Sequence, residues 1–318
     1  MSNIRPLKAL AGDQMDEILA KQHYRRSFFG IVALVLTLAL VTRFFVLPYF
    51  APTQALTGAA LLGSLLDNLV VSLFLAVFLG AFVFWLTPTI VKRSAIEVIA
   101  PKQINPLLKA ATAATRTWVY KGACGRYTRA TTMPKLAETA RTEGIGRDIT
   151  VCLLNPKNES LCAEYATYRR SLKSGDSGTP WTQQVVQEEI VATAIAALKY
   201  QFSEPLLRIR IFFVDHFSAF RLDISDHFVV VTKEDKEASA LRADVGTYFY
   251  DSYKDDVRLT ERQSREMICC GKLVFDGPVD ESKLREAIKC AEIIDETKLP
   301  ELDLARLLAA INAPSDPY

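Results

Sequence analysis

The sequence predicts an N-terminal transmembrane α-hairpin, then an α/β domain on a mixed sheet, then a C-terminal helical tail. Three observations carry this. Two long apolar runs stand close to the N-terminus. From about Ile96 the chain alternates helical and strand segments in an ordinary soluble composition. Its end reads as two more helices. The 318 residues divide into a cytoplasmic leader at 1–26, two spans within 27–94 (about 27–50 and 65–87), the α/β domain at 95–275 and the tail at 276–318. A hydrophobic content of 50% is high for a wholly soluble chain and fits this division. The formal net charge of +2 gives no global argument for nucleic-acid binding.

The first apolar run, "SFFGIVALVLTLALVTRFFVLPYF" from Ser27, is free of charge until Arg43, which can snorkel near the end of a span. The second, "NLVVSLFLAVFLGAFVFWL", covers Asn68 to Leu86. Each approaches the roughly 20 apolar residues that cross a bilayer. The first follows a charged leader and lacks a small-x-small cleavage site, so it does not read as a signal peptide. Arg5, Lys8, Lys21, Arg25 and Arg26 precede the pair and Lys92 and Arg93 follow it, with only Arg43 between, opposed by Asp67. The positive-inside rule then puts both termini in the cytoplasm. The connecting segment 51–67 either lies in the interface or lengthens the second span. Ser64, Asn68, Ser72, Ala76 and Gly80 recur every four residues and form a slowly drifting stripe of small and polar side chains. That stripe packs either on the first span or on other copies of the chain. Neither span has a charge near its middle, which argues against a proton relay or transporter.

The α/β part begins with a helix at Lys102–Ala114 and a strand at "TWVYKG". A helix over Met133–Thr142 has Pro134 in its first turn, where proline fits. "DITVCLLN" reads as a buried strand, "NESLCAEYATYRRSL" as an amphipathic helix, "SGDSGTP" as a polar loop and "WTQQVVQEEIVATAIAALKYQF" as a long helix. Strands follow at "LRIRIFFV", "FSAFRLDIS", "HFVVVTKE" and "GTYFYDS", then a helix from Asp255 to Met267. The tail helices fall near Glu281–Ile294 and Pro300–Ile311.

The motif search is mostly negative. "GACGRY" lacks the Lys-Ser/Thr of a phosphate loop, and "EGIGRD" precedes a strand. No GxSxG or HExxH occurs. The six cysteines form no CxxC pair and only three histidines are present, so no metal, cofactor or disulfide framework is expected and the thiols read as buried and reduced. Cys269-Cys270 reads as packing at a helix end. Arg126 and Arg129 in "GRYTR", and Tyr165, Tyr168, Arg169 and Arg170 in "YATYRR", interleave cations with tyrosines, a combination that suits nucleotides or nucleic-acid backbone. Tyrosines three apart on a helix equally suit packing on a sheet.

One stretch carries a resemblance. In "AFRLDISDHFVVVT", Ala219, Arg221 and Asp226 fall at the spacing of a His-x-Lys-x4-Asp motif. The segment resembles the phospholipase D superfamily, as does "YKGACGRYTRATTMPKLAETARTEGIGRDITVCLLNP" ahead of it. The likeness covers roughly Ile96 to Met267. In that family the histidine attacks phosphorus and the lysine holds phosphate oxygens. Here alanine replaces the nucleophile, and Ala219 cannot form a phosphohistidine. Arg221 keeps the charge and can hold phosphate by two parallel hydrogen bonds. The resemblance therefore implies a phosphate or partner site at Arg221, with Asp226 orienting or pairing with it, and no catalysis. A plain surface ion pair between the two is the competing reading.

The whole arrangement is similar to two-span effectors of bacterial anti-phage defence, of the retron-associated or cyclic-oligonucleotide type. That resemblance implies a sensor held quiet until infection, whose spans then assemble and breach the inner membrane. Its partners would be the lipid bilayer, other copies of itself, and either a reverse transcriptase with its nucleic acid or a nucleotide second messenger. The binding set expected is Arg221, Asp226, Arg126, Arg129 and Arg169, and the assembly face Asn68, Ser72, Ala76 and Gly80. A membrane-bound phosphodiesterase, nuclease or phospholipase using His216 or His227, and a passive scaffold, remain as alternatives.

Overall fold

The computed structural model describes scattered residues between 33 and 49, the helix at 57–86 (with side chains from 63 to 79), and 94–316 except 173–179, 236, 269, 270 and 272. The leader, most of the first expected span, Lys92, Arg93, most of the "SGDSGTP" loop and Cys269-Cys270 lie outside the described residues. The chain divides into two compact units, Met1–Thr89 and Ile90–Tyr318.

In the first unit, helix α1 runs over Thr57–Leu86. The connecting segment therefore lengthens the second apolar helix at its start. The described side chains of α1 span fewer than the roughly 20 residues a bilayer crossing needs, and among the described residues no helix is long and apolar enough to cross a membrane. Leu66, Val70, Leu73 and Val77 are half-buried along one side of α1, whereas Asn68, Ser72 and Ala76 are exposed. The surroundings of Gly80 lie outside the described residues.

The second unit is built on one eight-stranded sheet of order β1-β7-β6-β5-β2-β3-β4-β8. The strands are β1 (Glu97–Ile99), β2 (Thr117–Lys121), β3 (Arg147–Leu154), β4 (Leu207–Val214), β5 (Phe220–Ile224), β6 (Phe228–Lys233), β7 (Ala240–Asp244) and β8 (Arg265–Glu266). β2, β3 and β4 are parallel, and every other pairing is antiparallel. Crossover helices join the parallel strands: α3 (Met133–Glu143) between β2 and β3, then α4 (Glu159–Ser171) and α5 (Gln183–Ser203) between β3 and β4. Helix α2 (Pro101–Ala114) precedes β2, and α6 (Tyr248–Gln263) separates β7 from β8. Asn158, Thr182 and Thr247 start α4, α5 and α6 by accepting backbone N–H groups, which satisfies donors that a helix leaves open.

The two faces of the sheet are dressed unequally. One holds the main core, with Leu108, Leu136, Tyr165, Ile190 and Ile195 from helices α2 to α5 packed on Trp118, Ile149 and Phe213. The tail, α7 (Glu281–Cys290) and α8 (Leu304–Asn312), adds Leu284, Ile288 and Leu307 to this same core. A buried carboxylate fastens it: Glu188 on α5 accepts the Asp303 N–H at 2.8 Å and the Arg306 guanidinium. The other face carries a smaller cluster of Phe212, Leu222, Val229 and Val231, covered by Tyr250 and Val257 of α6, the only helix in that cluster among the described residues.

Three expectations are corrected. "GTYFYDS" is the capped start of α6 and not a strand: its aromatic residues pack at helical spacing, Tyr250 and Tyr253 both reaching the sheet. The helix expected from Asp255 thus begins seven residues earlier, and the short strands β1, β7 and β8 leave no sequence signal of their own. Finally, Cys290 is disulfide-bonded, so not every thiol is reduced; Cys124, Cys152 and Cys162 are free and buried.

Candidate functional site

At the carboxyl ends of parallel strands, backbone N–H and side chains of successive loops converge, and open α/β sheets bind ligands there. β2 ends at Lys121, and the chain turns through "GACGRY" into a π-helical segment, Thr128–Thr132. β5 runs antiparallel to β2, so its first residues lie beside the end of β2, and the β6 end lies beside both. A pocket of about 60 Å³ opens here, floored by Tyr120, Arg221 and Tyr127 and walled by Arg126, Arg169 and Trp181; Lys233, Glu234 and Asp235 of the β6 end close it. The space fits a few waters or one phosphate-sized group.

Two glycines make the turn possible. A Cβ at Gly122 would stand 2.3 Å from Tyr120 Oη and 3.0 Å from Arg221 Cγ. Gly125 has φ +68°, and a Cβ there would meet Leu153 and Thr193 at 2.9 Å. Its N–H donates to Tyr120 Oη at 3.2 Å, which ties the loop to the strand.

Each cation is held differently. Arg221 is buried, donates from Nε to Asp223 Oδ2 at 2.9 Å, and places its guanidinium carbon 5.8 Å from the Tyr127 ring centroid. Arg169 donates to the Glu234 carbonyl and lies 3.4 Å from its carboxylate, with its guanidinium 4.8 Å from the Trp181 ring. Arg126 lies 3.5 Å from Glu189 and 5.7 Å from the same ring. The lining therefore carries Arg126, Arg169, Arg221 and Lys233 against Glu234 and Asp235. Asp223 holds Arg221 from behind, and Glu189 is shared between Arg126 and the buried Arg129, so one positive charge is left over. Attraction for an anion thus rests mainly on oriented donors, with only a small net field behind them.

The titratable groups speak against a nucleophile. Burial pushes the Cys124 thiol well above its ordinary range, helped by Glu189, so it stays a thiol and not the reactive thiolate. Burial likewise pushes Tyr120 up. Burial raises the Asp223 carboxyl more than Arg221 lowers it. Neither His216 nor His227 lines the pocket. His227 Nε2 lies 3.3 Å from the Ala114 carbonyl, at the other end of β5.

Of the residues expected at a binding site, the structure brings Arg221, Arg126 and Arg169 together. Arg129 is buried beside them but points into the core, where it binds the Glu189 carbonyl and carboxylate at 3.0 and 2.7 Å and Thr193 at 3.0 Å. Asp226 does not pair with Arg221. It lies in the turn that follows β5, beyond the opposite end of that strand from Arg221, where it accepts the Arg116 and Thr117 N–H groups at 2.6 and 3.2 Å and the Thr117 hydroxyl. The surface ion pair between the two is excluded by the same geometry. Asp223 was missed, although strand alternation puts residues 219, 221 and 223 on one face. Ser252 and Tyr253 line a different groove on the opposite face. Tyr165 is core.

These features define a mixed α/β sheet domain with an arginine-bearing pocket at the carboxyl ends of its parallel strands. No family model matches the chain, and no curated protein matches it. Among solved structures it is similar to phosphatidylserine synthase of Haemophilus influenzae Rd KW20, at 10% identity and TM-score 0.38, over 63% of this chain and 46% of that one. It is also similar to TrmBL2, an archaeal chromatin protein described with a mode of DNA binding, at 12% identity and TM-score 0.30, over 63% of this chain and 64% of that one. The chain spans less than two thirds of the length of either. At these scores the likenesses carry no argument, and the architecture rests on the strand order and pairing described above.

Proposed function

We propose that the chain is a membrane-anchored sensor and effector of bacterial anti-phage immunity, whose phospholipase D-like domain binds a phosphate-bearing ligand without cleaving it. The observation that carries the ligand part is Arg221: buried at the pocket floor, oriented by Asp223, and two residues from an alanine where the superfamily motif has its nucleophile. The pocket's other aimed cations, Arg126 and Arg169, suit a phosphate presented by a nucleotide signal or by a nucleic-acid backbone. The membrane part is supported by α1, whose Leu65, Leu69, Phe74, Phe78 and Leu79 are exposed in the single chain. A helix with apolar side chains all round needs surroundings that bury it, and a bilayer supplies them. Arrival or loss of the ligand changes the oligomeric state, α1 helices meet through Asn68, Ser72, Ala76 and Gly80, and the inner membrane loses integrity.

The test has two arms. Titration of the purified chain with inorganic phosphate, mononucleotides, cyclic oligonucleotides and short single-stranded DNA should give binding that Arg221→Met abolishes, with no phosphodiester hydrolysis. Induced expression should depolarise the cell. Hydrolysis lost in His216→Ala would replace this reading with the phosphodiesterase one. Binding without depolarisation under any ligand would leave the scaffold.

A further inference from the structure

The carboxylates around the arginine pocket do not all stand on the same side of it. Asp223 and Glu189 pair with Arg221, Arg126 and Arg129 but line no part of the cavity. Glu234 does line it. It follows Lys233, the last residue of β6, and opens the connection to β7. Its carboxylate lies 3.4 Å from the Arg169 guanidinium, and the two side chains are 19% and 10% exposed. Burial, and after it the Glu234 charge, pushes the Tyr120, Tyr165 and Tyr168 hydroxyls up. One carboxylate therefore acts on β2 and α4 together, from inside the space a ligand would fill.

We propose, resting on the reading of the pocket as a phosphate site, that Glu234 is its internal competitor: the carboxylate holds the place on Arg169 that a ligand phosphate takes, and a ligand binds by turning it out. Three observations favour a competitor over a holder. First, Arg169 has other fixings. It donates to the Glu234 backbone carbonyl, which a change of side chain leaves in place, and its guanidinium lies 4.8 Å from the Trp181 ring. Second, the carboxylate contact is long. At 3.4 Å it exceeds the roughly 2.7–2.9 Å of a charge-assisted hydrogen bond, so an anion that comes closer gains what Glu234 leaves. Arg169 is buried, and its Nε has no hydrogen-bond partner among the described residues. Third, two anions do not share the site. The cavity of about 60 Å³ holds one phosphate-sized group, and a phosphate beside an ionised carboxylate meets like charge where little water screens it. Glu234 then sets a threshold: an anion enters only where its oxygens take more from the arginines than a tethered carboxylate already does.

Calorimetric titration of the full chain, in detergent, with inorganic phosphate and with a short single-stranded DNA tests this by the sign of the change. Glu234→Gln keeps the shape and removes the charge, and it should bind both probes about tenfold more tightly than the parent. Glu234→Ala should tighten binding too, which separates the lost charge from any new contact made by the amide. Glu237→Gln is the control. It removes the same charge from the same connection, but Glu237 is exposed and does not line the pocket, so both affinities should stay within about twofold of the parent. Unchanged or weaker binding in both Glu234 variants would make the carboxylate a holder of Arg169 and overturn the inference, while the phosphate site stands. Equal tightening in Glu237→Gln would show a general field and overturn it as well. Failure of the parent and of every variant to bind either probe would overturn the inference and the reading of the pocket together.

Discussion

The Arg221 guanidinium donates to the Asp223 carboxylate at 2.9 Å, two residues apart on one strand, with both side chains buried. Burial raises the Asp223 carboxyl more than its arginine lowers it, and Glu234 adds to the rise; taking both charges out of water is costly even when they are paired. Removing one partner leaves the other a buried charge short of its strand neighbour. Asp223→Leu alone should cost about 3–5 kcal/mol in denaturant unfolding followed by Trp118 and Trp181 fluorescence. The double variant Arg221→Met/Asp223→Leu should be as stable as the parent or more so, yet bind no phosphate ligand. A double variant that keeps the ligand would remove Arg221 from the site.

Gly122 lies where no side chain fits. Its missing Cβ is what admits both the Tyr120 hydroxyl and the Arg221 stem. Gly122→Ala should destabilise by about 1–3 kcal/mol through overpacking and weaken ligand binding by displacing Arg221. Tyr120→Phe removes the nearest obstructing atom and leaves the ring carbon at 2.7 Å, so the Gly122→Ala/Tyr120→Phe protein should lose somewhat less than the sum of the two single changes. A double-mutant cycle reads this directly, and strict additivity would show that the hydroxyl is not the obstacle.

How much of this was legible beforehand depended on what kind of signal each feature leaves. The crossover helices and β3 and β4 are long and strongly apolar, and their sequence bounds fall within a few residues of the observed ones. The start of α6 was not, because "TYFYDSY" alternates aromatic and polar residues as a strand does. The helix is decided by Thr247, which accepts the Tyr250 N–H at 3.2 Å, and by packing of Tyr250 on the sheet. β7 is five residues with Arg242 at its centre, too short and too charged to stand out. At the site, the spacing of Arg221 and Asp226 was legible, but separation along a strand is also separation in space. The partner within reach was Asp223, on the same face two residues away.

Asp226 has a structural task, and pH should expose it. Burial pushes its carboxyl up, but hydrogen bonds from the Thr117 hydroxyl and from the Arg116 and Thr117 N–H groups outweigh this and hold it below the ordinary carboxylate value. A carboxyl depressed in the folded state stabilises it above the unfolded value, about pH 4, and that contribution disappears as pH falls through the folded value. Asp226→Asn should therefore be less stable than the parent at pH 6, with the gap closing by pH 2–3. Thermal melts across that range check it; a gap independent of pH would mean that the ionised form is not what the N–H groups hold.

The tail belongs to the core, and its fastening is measurable. Leu307 is fully buried, and Leu307→Ala should cost about 2–5 kcal/mol. Glu188 is also buried while Arg306 is about a third exposed, so Arg306→Met should cost less, about 1–3 kcal/mol, through the carboxylate it leaves short of a partner. Glu188→Gln in the Arg306→Met background should recover part of that loss. If it recovers none, the carboxylate is not what makes the single variant unstable.

The stripe on α1 separates assembly from mere anchoring. Leu66, Val70, Leu73 and Val77 share a half-buried side of the helix, and Asn68, Ser72 and Ala76 lie on a different side, exposed in the single chain. A small-residue face left open in this way lets a second backbone come close, and a leucine there blocks the approach without making the helix less apolar. Ala76→Leu should therefore leave the chain in the membrane fraction, abolish cross-linking between copies and abolish depolarisation on expression. Phe74→Leu, also exposed on α1 but on the side turned away from the stripe, should change none of the three. If depolarisation survives Ala76→Leu while the protein still sediments with membranes, the copies meet through another face or the membrane effect needs no assembly.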